Sequence, residues 1–232
     1  MLTHCTLTGI ADDTELDAVW ALAAEFSHAE FGVLYSEARA GQGRYPSREW
    51  IEVLVERLRR EPGPRMALHL CGESVDDFLA VATPKAAALR RIACYFPRVQ
   101  LNLRATPDTA TLLRKLHTFN LDQTYITQHN AANAQLWAAL MDVDNHAILF
   151  DESGGRGRTP TLWPEPLPGL PCGYAGGLGP DNLKAELAKI HRLAGSRDYW
   201  VDMESKLRTA ADTFDLAAAR RCLELSRLYH DT

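Results

Sequence analysis

Asp151 closes an apolar run, Ala147-Ile148-Leu149-Phe150, and precedes a glycine- and arginine-rich stretch, Gly154-Gly155-Arg156-Gly157-Arg158. A carboxyl group at the end of a buried strand, partly desolvated, is expected to have the raised pKa of a general acid. The same residue could instead cap the next segment or pair with Arg156 or Arg158. Asp202 with Glu204, and Asn102 with Arg104, are spaced i, i+2, which on a strand puts both members of a pair on one face. His69 and His129 lie at the ends of further expected strands and are candidate general bases, with hydrogen-bonded or solvated histidines as the plainer reading. The sequence contains no HxH, HExxH or CxxC, so neither a metal nor another cofactor is expected. A hydrolase gathering His69, His129 and Asp151 around a metal ion is the weakest of the chemical readings. Cys5 and Cys71 carry no activating neighbour and read as inert thiols.

Two glycine-rich stretches bear on ligand binding. Gly154 to Thr159 lacks the GxxxxGK[ST] spacing of a P-loop and reads as a mobile lid or a solvated turn. Gly176-Gly177-Leu178-Gly179-Pro180-Asp181-Asn182-Leu183 joins a strand to a helix, where backbone N–H groups can approach an anion. A purely structural turn is the alternative there.

The elements that must position these groups follow a rhythm. Runs of strand character lie near His4–Thr8, Phe31–Tyr35, Met66–Leu70, Val99–Leu103, Thr124–His129, His146–Asp151, Pro171–Ala175 and Tyr199–Met203. Amphipathic helices are expected over Thr14–Ser27 (capped by Asp12 or Asp13), Ser47–Arg60, Asp181–Ala194 and Asp215–Tyr229. Eight βα units predict an α/β fold, a single TIM (β/α)8 barrel over residues 1–232, with chemistry at the C-terminal strand ends. An open doubly wound sheet is the alternative, but no GxGxxG follows the first strand. Five of the twelve prolines fall in Thr159–Pro171, so the sixth helix is expected to be short or absent.

Composition narrows the partners. With 25 Lys+Arg against 30 Asp+Glu, the formal charge of −5 argues against a nucleic-acid binder. At 46% hydrophobic the chain can bury a core, yet no run approaches the ~18 apolar residues of a membrane span. Five scattered cysteines and no secretory leader point to the cytoplasm. The expected partner is a small-molecule anionic ligand, with no nucleic acid and no membrane.

In order along the chain, these motifs resemble the phosphoribosylanthranilate isomerase family, barrel enzymes of tryptophan synthesis. Thr6-Leu7-Thr8-Gly9-Ile10 is similar to K-x-C-G-I, and Ser36 through Arg44-Tyr45-Pro46-Ser47 to S-x-R-x-[IV]-S with an insertion. Val99-Gln100-Leu101-Asn102 is similar to Q-L-H-G, and Asp151 with Gly154 to Thr159 to D…G-G-T-G-K-x-F. Ala175-Gly176-Gly177-Leu178-Gly179-Pro180-Asp181-Asn182-Leu183 is similar to A-G-G-L-x-P-x-N-V, the most specific match. Trp200-Val201-Asp202-Met203-Glu204-Ser205 is similar to G-V-D-V-S-S-G. The resemblance implies Asp151 as general acid, Arg44 as ligand of a carboxylate, and Gly176 with Gly177 as phosphate donors.

Departures from the pattern shape the functional expectation. Thr8 replaces the family's cysteine base, and a hydroxyl does not accept a proton at neutral pH unaided. Glu204-Ser205-Lys206 replaces the phosphate-holding S-S-G, so a dianion would meet a carboxylate unless Lys206 compensates. The expected protein is an isomerase- or lyase-type enzyme on a small anionic, sugar-phosphate-like substrate. Asp151 is its acid and His69, His129 or Asp202 its base, and the standard isomerase reaction is lost. A non-catalytic ligand-binding or regulatory barrel is the alternative.

Overall fold

Eight parallel strands pair in sequence order in the computed structural model, and the eighth closes on the first. They are β1 (Leu2–Thr8), β2 (Ala29–Tyr35), β3 (Arg65–Cys71), β4 (Arg98–Asn102), β5 (Thr124–His129), β6 (His146–Phe150), β7 (Cys172–Ala175) and β8 (Tyr199–Met203). The structure describes residues 1–80, 83–103, 108–118, 122–130, 133–152, 154 and 156–230. Around the barrel run α1 (Leu16–Glu25), α2 (Arg48–Arg60), α3 (Glu73–Leu79), α4 (Pro84–Ala93), α5 (Thr109–Thr118), α6 (Leu136–Leu140), α7 (Leu183–Ala194) and α8 (Leu216–His230). No helix among the described residues is long and apolar enough to cross a membrane.

Strand alternation sorts the side chains into two populations. One parity (Leu7, Phe31, Leu68, Val99, Tyr125, Ile148, Tyr174, Val201) is buried between strands and helices and forms the main apolar core. The other parity points into the barrel, and there the two halves differ. Ile126, Ala147, Leu149, Ala175 and Trp200, from β5 to β8, form a small apolar cluster. The strands β1 to β4 instead present His4, Thr6, Thr8, Glu30, His69, Arg98 and Gln100, all buried. Barrel interiors are ordinarily filled by branched apolar layers, so this polar half calls for a reason.

Local chemistry explains several helix starts. Ser47 Oγ accepts from Trp50 N at 3.1 Å, and Thr83 Oγ1 from Ala86 N at 3.0 Å with Pro84 following it. The expected capping of α1 by Asp12 or Asp13 does not form; Glu15 occupies that position without a side-chain bond. Asp12 instead accepts from Ser47 N at 2.7 Å, and Asp13 from Phe214 N at 3.3 Å. These acids therefore tie β1's following loop to the loops after β2 and β8, at the end of the barrel where chemistry is expected.

Between Phe150 and Cys172 the described residues form no helix, and an extended proline-rich segment takes its place. Trp163 packs edge-on against Tyr174 and donates Nε1–H to Glu186 at 2.8 Å. Arg197 and the Tyr174 hydroxyl donate to the carbonyls of Pro166 and Pro164. The third connection compensates in number, carrying both α3 and α4.

Candidate active site

Thr8 ends β1 pointing inward, and its hydroxyl donates to Asp202 Oδ1 at 2.7 Å. Gly32 makes this contact possible: a Cβ there would run into the Thr8 side chain across the β1–β2 register. Asp202 Oδ2 lies 3.9 Å from His69 Nδ1, and Asp202 is 8% exposed. Burial, with added repulsion from Glu30 and Asp151, pushes the Asp202 carboxyl up to about 7 despite the Thr8 bond. Burial also pulls His69 down to about 4, so the imidazole is neutral at neutral pH and Asp202 is the better proton acceptor.

Asp151 follows β6 directly, is 4% exposed, and accepts from Gln128 Nε2 at 3.3 Å. Asp151, Asp202, His69, Gln100, Asn102 and Gln128 line one cleft at the barrel mouth. Asn102 is fixed there, accepting from Gln100 at 2.8 Å and donating to Cys71 Sγ at 3.1 Å. Cys71 is pushed up to about 11, chiefly by burial, and stays a thiol. Gln100 and Gln128 were not among the residues singled out from sequence; their inward parity is the signal that could have found them.

The rim brings together the residues expected to hold an anion, and occupies them with one another. Arg44 reaches Glu204 Oε1 at 2.7 Å and Asp212 Oδ1 at 3.3 Å. Arg208 ties Asp212 in place at 3.0 Å and donates to Gly9 O at 2.7 Å. Arg44, rather than Lys206, thus compensates Glu204; Lys206 forms no ion pair among the described residues and packs its stem beside Gly179. Burial pushes Glu204 up against the pull of Arg44, although 30% of its side chain remains accessible.

The Gly176–Gly177 turn lies on the same cleft, with Gly177 at φ +59°. Its open side is covered from within. A Cβ on Gly176 would lie 2.8 Å from Arg158 O, and one on Gly177 2.6 Å from Gly157 O. A Cβ on Gly157 would in turn strike the Ser205 side chain. The segment Gly157–Thr159 is therefore threaded between the glycine turn and Ser205, with Asn182 Nδ2 bonding both Gly177 O (2.9 Å) and Thr159 Oγ1 (3.2 Å). The resulting cleft is about 60 Å³.

Two expected site residues fall elsewhere. His129 has the opposite parity to Gln128, and its ring stands edge-on to Phe150 at 5.3 Å on the outer face of the strands. It is corrected from mouth residue to packing residue, because the last residue of β5 alternates away from the interior. The hydrolase reading thereby loses one of its three ligands, and no metal-binding group of three His, Cys, Asp or Glu occurs among the described residues. Arg104 lies outside the described residues.

The fold and site place the chain in the class of (β/α)8 barrels that gather ionisable groups at the C-terminal mouth. No family model matches the sequence, and no curated protein matches it. Solved structures do match. Phosphoribosylanthranilate isomerase from Thermus thermophilus superposes with a TM-score of 0.63 at 18% identity, covering 97% of this chain and 99% of that one. The Thermotoga maritima enzyme gives 0.62 at 16% identity, covering 98% and 99%. A further phosphoribosylanthranilate isomerase, in complex with reduced 1-(o-carboxyphenylamino)-1-deoxyribulose 5-phosphate, gives 0.59 at 16%, covering 98% and 99%. The chain thus has the fold of the phosphoribosylanthranilate isomerases.

Proposed function

We propose that the mouth is the active site of an isomerase- or lyase-type enzyme acting on a small anionic, sugar-phosphate-like substrate. Asp202 carries this reading: a buried carboxyl titrating at about 7, held by Thr8, on the same cleft as Asp151. A base with that pKa is matched to proton abstraction at neutral pH. Asp202 takes a C–H proton next to a carbonyl or imine, the C–H electrons form a C=C bond, and Asp151 protonates the heteroatom. Asp202 then returns its proton to the former carbonyl or imine carbon, while the hydroxyl on the first carbon gives its proton to the ionised Asp151 and becomes a carbonyl. This completes an isomerisation and restores both acids. Thr8 positions Asp202 and cannot itself be the base, since its own proton is engaged by the carboxylate. This supports loss of the standard isomerase reaction, and the chain is expected not to rescue a tryptophan auxotroph.

One observation favours a second reading, a non-catalytic ligand-binding barrel: Arg44 already holds the Glu204 carboxylate over a cleft of about 60 Å³. Deuterium exchange separates the two. The protein is incubated in heavy water with pentose and pentulose 5-phosphates and their arylamine adducts, and C–H signals are followed by proton NMR. The enzyme reading expects wash-in of deuterium beside the carbonyl for at least one compound, abolished in Asp202→Asn. Saturable binding of reduced 1-(o-carboxyphenylamino)-1-deoxyribulose 5-phosphate, with no exchange in any substrate, would establish the second reading instead.

A further inference from the structure

The opposite end of the barrel holds a larger opening than the mouth. Around the N-terminal ends of the strands lies a cavity of about 660 Å³, lined among others by His4, Arg65, Arg98, Tyr199 and Trp200. This face ordinarily serves stability alone. Here a buried arginine reaches it.

Arg98 is 7% exposed and points inward from β4. Its Nη1 donates to Glu30 Oε1 at 2.6 Å and contacts His4 Nε2. Its guanidinium lies 4.3 Å from the Trp200 ring centroid, and Trp200 occupies space that only a glycine at position 173 leaves open. Burial and the neighbouring Arg98 hold His4 well below the usual imidazole range, so it is neutral. With Nε2 facing a guanidinium, the ring proton sits on Nδ1 and is donated to Thr3 Oγ1 at 2.9 Å, which donates onward to Tyr199 O at 3.0 Å. One edge of the guanidinium is thereby fixed in place.

The other edge is not used. Arg98 Nε and Nη2 have no acceptor among the described residues, and Arg98 lines the cavity. Arg65, at the start of β3 and with the same inward parity as His69, adds a second guanidinium that forms no ion pair among the described residues. Of the two acids on the cavity wall, Asp198 is engaged by the Met1 amino group at 3.4 Å, and Asp122 stands across on the β5 side. Burying an arginine, a glutamate and a histidine inside a barrel is not explained by stability, because apolar residues of equal volume serve that end as well or better. A planar donor pair backed by an indole matches the geometry of a carboxylate or phosphate.

We propose that the floor of the barrel is a second binding site, taking a small oxyanion on the unused edge of Arg98 with Arg65 as the outer cation. The ligand is a carboxylate or phosphate ester small enough to fit within the cavity beside Trp200. It stands apart from the mouth, so its fate does not depend on the proposed enzyme reaction.

The test is an NMR titration of the full chain with inorganic phosphate and, separately, with benzoate. The indole N–H of Trp200, assigned with Trp200→Phe, and the amide of Gly63 report the floor; the amides of Gly176, Gly177 and Ser205 report the mouth. The expected result is a saturable shift of the floor reporters with a dissociation constant of about 1 mM or tighter for at least one anion. Arg65→Ala, at an exposed position, should weaken that binding about tenfold, and Asp151→Asn should leave it unchanged. Arg98→Lys, which keeps the charge opposite Glu30 but loses the fork, should abolish it while remaining folded. If Arg98→Lys fails to fold, Arg65→Ala alone decides. Shifts confined to the mouth reporters, no saturable shift with either anion, or floor binding indifferent to Arg65 would each overturn the proposal.

Discussion

The two ends of the barrel use the same building material in opposite ways. At the mouth, two rim arginines are held by their neighbours: Arg44 by Glu204 and Asp212, Arg208 by Asp212 and the Gly9 carbonyl. What remains facing the cleft is carboxyl, imidazole and amide. At the floor, Glu30, an acid with no exposed surface, is matched by Arg98, and guanidinium edges remain over. The mouth cleft is about 60 Å³ and the floor cavity about 660 Å³. A barrel whose fold resembles phosphoribosylanthranilate isomerase thus presents carboxyl, imidazole and amide groups at one end and guanidinium edges at the other. The difference teaches that fold position alone does not assign charge; the pairing partners do.

The largest expected effect breaks the comparison at the mouth. Asp202→Asn and Asp151→Asn should each lower the exchange rate by about 10²–10⁴-fold, the usual contribution of a positioned acid or base. Floor variants such as Arg65→Ala should leave that rate intact. Exchange that survives Asp202→Asn at full rate would remove the base assignment.

The next effect lies at the floor and is one of stability. Arg98→Met would strand Glu30 as an uncompensated charge with no exposed surface, costing about 3–5 kcal/mol in urea unfolding. The double variant Glu30→Gln/Arg98→Met should recover most of this loss. If the single variant were as stable as the parent, the floor pair would be a minor contact and the mouth would be the only demanding site.

A third effect separates the ends by pH. Asp202 has a folded pKa raised to about 7, so between about 4 and 7 the folded protein holds a proton that the unfolded chain has lost. Its contribution therefore favours folding at low pH and fades as pH rises toward 7. His69, lowered to about 4, works the other way: between about 6.5 and 4 the unfolded chain takes up a proton first, and stability falls with falling pH. The two slopes oppose each other from about pH 4 to 6.5, leaving Asp202 alone above that. Asp202→Asn should accordingly raise the melting temperature at pH 8 and change it little near pH 4, while activity is lost. Equal shifts at both pH values would show that Asp202 is not held protonated by its surroundings.

How much of this was legible in the sequence differs between the ends. The strands were readable because burial on the outer parity produces apolar runs, and β5 and β8 fall at the expected residues. The proline-rich stretch correctly ruled out a regular sixth helix for the reason prolines always give, a missing N–H and a fixed φ. At the mouth, Asp151, Asp202 and His69 come together because they end strands at inward parity. His129 failed on parity alone, one residue past Gln128. The loops were not legible: nothing in the spacing of Arg44, Glu204 and Asp212 reveals that residues 160 apart neutralise one another. The floor does leave a signal in the sequence. Glu30, Arg98 and His4 are charged or polar residues interrupting strands that otherwise read as apolar, and only an interior partner makes such residues tolerable.

The smallest effect sharpens the mouth itself. Glu204 competes with any incoming anion for Arg44, and with three-tenths of its side chain accessible the pair is partly screened by solvent. Glu204→Gln should remove that competition and tighten phosphate binding at the Gly176 and Gly177 amides about fivefold at low salt, roughly 1 kcal/mol. The gain should shrink as salt rises, because the freed guanidinium sits at the rim. Adding Arg44→Ala should cancel it, since no cation is then released. Binding at the floor reporters should be the same in all three proteins. A gain that persists without Arg44 would mean that Glu204 repels the anion directly, and the mouth would then be selecting against phosphate by its own charge rather than holding an arginine in reserve.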